Sequence, residues 1–102
     1  MSAIPVTFAI IDRSREDFPM YVKEIPCDSV MMWEYYHNDD PTIINNVKRI
    51  LGIESDAPCF YGVWCDYLID PATGEICRDD SGDSIADFLQ YVLNKRQKYI
   101  SG

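Results

Sequence analysis

A chain of 102 residues has room for one folded domain. Its net charge of −8, from 17 acids against nine bases, argues against direct nucleic-acid binding, which needs a basic footprint, and disfavours an anionic membrane surface. The hydrophobic share of 47% is that of an ordinary globular protein, and no apolar run approaches the ~20 residues of a membrane span.

The opening residues Met1-Ser-Ala-Ile-Pro5 lack the basic start and long apolar stretch of a signal peptide, so a cytoplasmic location is expected. Cysteine usage agrees. Cys59 and Cys65 would lie about 20 Å apart on one regular strand, far beyond disulfide reach. Cys27 and Cys77 could meet another cysteine only through the fold. There is no CxxC pair, and a single histidine cannot complete a zinc site of common spacing. Four reduced, mostly buried thiols are expected, with no cofactor.

Ile4 to Ile11 is strand-like, Val6, Phe8 and Ile10 alternating against Thr7, Ala9 and Ile11. Pro5 points to an edge strand, or to one that starts just after it. Asp12 to Asp17 is a charged loop, Pro19 to Ile25 alternates again, and Pro26 closes it. These two strands should pair antiparallel. Asp28 to His37 has the aromatic and β-branched content of a strand. However, Asp28 can cap a helix, and Val30, Trp33 and Tyr36 or His37 fall at helical spacing, so a short helix is preferred.

A second helix follows, with Asp40 as N-cap and Pro41 in the first turn. Ile43, Ile44, Val47, Ile50 and Leu51 form its apolar stripe, Lys48 and Arg49 complement its C-terminal dipole, and Gly52 ends it. Pro58 to Ile69 then reads as one strand, Asp70-Pro-Ala-Thr-Gly-Glu75 reverses the chain, and Ile76 and Cys77 begin the return of a β-hairpin. After a turn from Arg78 to Asp83, Ser84 and Asp87 resemble a capping box. Ile85, Phe88, Leu89, Val92 and Tyr99 form the expected buried face of the last helix, with Lys95, Arg96 and Lys98 near its end.

The expected fold is α+β, in the order ββααββα: a four-stranded antiparallel sheet with two or three helices on one face. A faint echo hints at a ββα pseudo-repeat. Ile10-Ile-Asp12 matches Leu68-Ile-Asp70, Asp28-Ser-Val30 matches Asp83-Ser-Ile85, and Trp33 and Tyr36 align with Phe88 and Tyr91.

Any histidine-based catalysis must run through His37, whose plainer reading is a residue favoured by a helix C-terminus. A thiol nucleophile among Cys59, Cys65 and Cys77 would need His37 close by, which no spacing predicts. Asp79, Asp80, Asp83 and Asp87 lack the EF-hand order and suit helix capping better than cation binding. The residues that stand out are Asp66, Asp70, Glu75, Asp79, Asp80, Asp83 and Asp87, with Tyr61, Trp64 and Tyr67 among them. Aromatics ringed by charge are how protein interfaces gain affinity, and acidic groups steer basic partners. The plainer reading is a sheet covered on both faces, or one wet face that tolerates tyrosines. The expectation is a non-enzymatic binding protein that docks on, and inhibits, a larger basic protein partner that handles nucleic acid. Phage anti-defence and toxin-neutralising immunity proteins share this profile by size and charge alone. The alternatives are a small metabolite-binding domain, a thiol or histidine enzyme, or a homodimer joined through edge strands or through the exposed aromatic face.

Overall fold

The computed structural model describes residues 3–69, 73, 75–78, 82 and 84–102, without the side chains of 29, 33, 36, 37, 68, 69 and 76–78. The architecture is built around strand β1 (Ala3–Asp12), in which every residue from Val6 to Asp12 is buried. Apolar residues at both parities of one strand demand cover on both faces. β1 lies between β2 (Met20–Asp28) and β3 (Cys59–Trp64) and pairs antiparallel with each. Val6, Phe8 and Ile10 pack under helix α1 (Ser29–Asn38) and helix α2 (Thr42–Leu51), with Met32, Ile43, Ile44 and Val47. Ala9 and Ile11 point the other way and meet Val92, Phe88 and Tyr99 of helix α3 (Ile85–Ser101). The helices therefore sandwich the sheet. The expectation of helices on one face fails because Ala9 and Ile11 need their own cover.

The sheet has three strands in the order β2-β1-β3, not four. Strands β4 (Tyr67–Ile69) and β5 (Ile76–Arg78) form a separate antiparallel ladder, Ile69 opposite Ile76. The element order is ββααβββα. Pairing across the expected turn is present, but Pro58 to Ile69 is not one strand, and Pro5 explains why. Asp12 N–H donates to the Pro19 carbonyl at 3.0 Å, and Arg13 N–H to the Pro58 carbonyl at 2.8 Å. Since bonding alternates along an antiparallel ladder, the even residues of β1 bond β2 and the odd ones bond β3. Thr7 is paired with Trp64, so the next rung toward β4 would set Pro5 opposite Asp66. Proline has no N–H to give there. β3 stops, and the chain departs to form β4. Pro5 thus sits inside a central strand and not on an edge strand, as had been expected. Its partner Pro26 points its missing donor away from β1, to the outer side of β2.

Two of the three helices start where the sequence indicates, and α2 starts one residue later. Asp28 Oδ1 accepts from the N–H groups of Val30 at 2.8 Å and Met31 at 3.4 Å. The face of α1 is rotated from the expected one, with Met32 buried and Val30 57% exposed. Asp40 Oδ1 accepts from Thr42 N–H and Oγ at 2.9 and 2.6 Å, one position ahead of where it was expected to cap. Gly52 closes α2 with φ 75°, which glycine adopts without strain. Ile50 is exposed, whereas Lys48 is buried and donates to the carbonyls of Ser55 and Ala57 at 3.3 and 3.1 Å. This ammonium closes the α2–β3 connection, a role its place in the last turn did not suggest. Ser84 Oγ accepts from Asp87 N–H at 3.2 Å as expected, but Ile85 is 42% exposed and not part of the buried face.

The ββα pseudo-repeat finds no support. It would align Asp28 with Asp83, yet the caps of α1 and α3 are Asp28 and Ser84, one register apart. The counterpart of the ten-residue β1 would be the three-residue β4. The β1–β2 loop is tied to α3: Phe18 stacks on Tyr99 at 5.8 Å, and Arg96 donates to the carbonyls of Phe18 and Asp17 at 2.6 and 3.0 Å. Among the described residues no helix is long and apolar enough to cross a membrane.

Candidate functional site

The end of β3 and the start of α3 meet around a cleft of about 330 Å³. Trp64 pairs with Thr7 and so lies on the α3 side of the sheet. Cys65 and Asp66 occupy the break that Pro5 imposes. From the helix, Asp87 and Phe88 of the first turn and Tyr91 one turn later complete the lining. Asp87 and Tyr91 are four residues apart and share a face of α3.

The helix is set in position by a small-residue notch. Ala9 and Gly62 are cross-strand partners, and Phe88 lies over the pair, so close that a Cβ at Gly62 would stand 2.9 Å from Phe88 Cε1. With Phe88 turned to the sheet, its neighbour Asp87 and the next-turn Tyr91 flank the cleft. Tyr91 packs on Phe60 with ring centres 6.3 Å apart. Lys95 Nζ lies 5.7 Å from the Tyr91 ring and 5.9 Å from the Phe60 ring, so these rings already hold one cation of the chain itself.

Of the residues singled out in the sequence, Trp64, Asp66 and Asp87 come together here. Tyr61 lies on the opposite face of β3, across from Ile10, and is 44% exposed. Tyr67 is half-buried against the larger core cluster. Glu75 is exposed, its N–H donating to Thr73 Oγ at 3.2 Å. Asp70, Asp79, Asp80 and Asp83 lie outside the described residues. Helices lie on both faces of the sheet, so the rings of β3 are partly covered from both sides, which is closer to the plainer reading of a sheet covered on both faces. Sequence reasoning missed Phe88 and Tyr91 as cleft residues, although the spacing of Asp87 and Tyr91 carried the signal.

The described thiols, Cys27, Cys59 and Cys65, are free; Cys27 is buried and the other two half-buried. Burial pushes all three above the ordinary thiol range, and the neighbouring Cys65 adds to the effect at Cys27. A nucleophilic thiol requires the reverse shift. His37 lies in the last turn of α1 and Cys77 on β5, both with side chains outside the description. Among the described residues no group of three or more histidine, cysteine or acidic side chains is placed to hold a metal ion. At the far end of β1, the buried Asp12 accepts hydrogen bonds from the Ser14 hydroxyl and N–H, which hold its carboxyl below the usual carboxylate range.

No protein-family model, curated protein or solved structure matches this chain. The site is therefore read from its own chemistry. Two carboxylates beside the Trp64 and Tyr91 side chains suit an ammonium or guanidinium group, which takes charge from the acids and apolar contact through its stem. The same groups offer little to a phosphate or a fatty chain.

Proposed function

We propose that this is a small acidic binding protein without enzymatic activity, which docks on and neutralises a larger basic protein, of the kind that handles nucleic acid. The observation that supports this most is the cleft itself, where Asp66 and Asp87 flank aromatic side chains at the junction of β3 and α3. A basic side chain entering it would gain aromatic contact and carboxylate pairing together, the combination that concentrates affinity at an interface. The net charge of −8 would draw such a partner in from a distance. The raised thiol range of Cys27, Cys59 and Cys65 lends nothing to the alternative of a thiol enzyme.

The test separates the cleft from net charge. Capture from native-cell extract is run with wild type, with Asp66→Lys/Asp87→Lys, and with Glu54→Lys/Asp56→Lys, which changes net charge equally away from the cleft. A stoichiometric basic protein should be held by wild type and the loop variant and lost from the cleft variant. Equal retention by both variants, equal loss from both, or no stoichiometric partner for wild type would each overturn the reading.

A further inference from the structure

We propose that the outer edge of β2 is an interface with a second copy of this chain, joined as an antiparallel β2–β2 ladder centred on Val22. β2 ends the sheet and has no second partner strand among the described residues. The ladder parity set by the Asp12–Pro19 bond turns its odd residues to β1 and leaves the backbone N–H and C=O of Met20, Val22 and Glu24 facing outward. The middle of the strand is exposed on both faces, Val22 at 48%. An edge of this kind is a template for another strand.

The sequence of the edge favours its own copy as occupant. A sheet continuous across a twofold axis must pair residues of like parity, which permits few registers. Centring on Lys23 or on Glu24 sets like charges directly opposite, which is unfavourable. Centring on Tyr21 leaves Glu24 outside the ladder. Centring on Val22 avoids both faults. Val22 meets Val22 of the second copy, each Lys23 lies opposite a tyrosine at 21, and each Glu24 lies opposite a methionine at 20. All three outward-facing residues then bond. Pro26, which has no outward N–H to offer, falls beyond the last rung. Within a chain of net charge −8, this stretch carries one charge of each sign between Pro19 and Pro26, so it adds no net charge repulsion between two copies.

Sedimentation and native mass measurement of the full chain over a dilution series test the proposal. Wild type should pass from monomer to dimer as concentration rises. Val22→Pro removes an N–H that β1 does not use, so the fold should persist by circular dichroism while the dimer weakens at least about 100-fold. Val22→Lys brings like charges together at the axis and should act in the same direction if the proline variant misfolds. Asp66→Lys/Asp87→Lys should dimerise as wild type does, which separates this interface from the cleft. A wild type that stays monomeric at the highest concentration, or Val22 variants that dimerise unchanged, would overturn it. So would a wild-type β2 edge that pairs only with a foreign extended peptide.

Discussion

Gly62 is the residue whose missing side chain matters most. With Ala9 opposite, it lowers the floor of the sheet enough for Phe88 to enter, and α3 settles on that contact. Gly62→Ala improves strand propensity but drives a methyl to 2.9 Å from Cε1 and 3.2 Å from Cζ of the ring. Overpacking of a well-filled site costs roughly 1–3 kcal/mol, which meets or exceeds a backbone gain of roughly 0.5–1 kcal/mol. Urea denaturation should show a lower midpoint for Gly62→Ala, and an unchanged or raised midpoint would mean that Phe88 yields freely. Lys48 is a different case, a buried charge that donates two of its three ammonium hydrogens to backbone carbonyls. Its role is to hold the loop that delivers Cys59 to the sheet.

At the scale of elements, local signals are legible in the sequence and long-range ones are not. Asp28, Gly52 and Ser84 mark helix ends through bonds a few residues long, and those ends stand where the sequence indicates. Asp28→Ala would leave the Val30 and Met31 N–H groups without their acceptor and should cost about 1 kcal/mol. The measurement is an equilibrium unfolding midpoint with unchanged denaturant slope. Loss below a few tenths of a kcal/mol would show that tertiary packing alone sets the start of α1. What stayed illegible was partnership. The run from Pro58 to Ile69 looks continuous because its residues all suit strands, and the reason it breaks is Pro5, a residue distant in sequence. Likewise Thr7, Ala9 and Ile11 read as the plain side of a strand, although the apolar character of Ala9 and Ile11 already calls for a second helical layer. The cleft was half legible. Trp64, Asp66 and Asp87 were singled out, but which of the many acids would converge depended on the β3–β4 break and on the rotation of α3.

For the whole molecule, stability should be graded outward from β1. Its amides bond on both sides and are enclosed by both core clusters, whereas β4 and β5 form a three-rung ladder apart from the main sheet. Native-state hydrogen exchange should therefore find the Phe8 to Ile11 amides slowest, opening only with global unfolding, and the Tyr67 to Ile69 amides exchanging far earlier. Coincident rates in the two regions would make the small ladder part of the same cooperative unit. The placement of β1 also bears on how the chain is assembled. Its bonds to β2 can form as soon as a short loop is made, but its other side must wait for β3, which follows both α1 and α2. During synthesis the most water-averse strand in the protein is thus left with one flank bare until most of the polypeptide has emerged. The period of greatest danger from misassociation lies in that interval, before Trp64 arrives to close the rank.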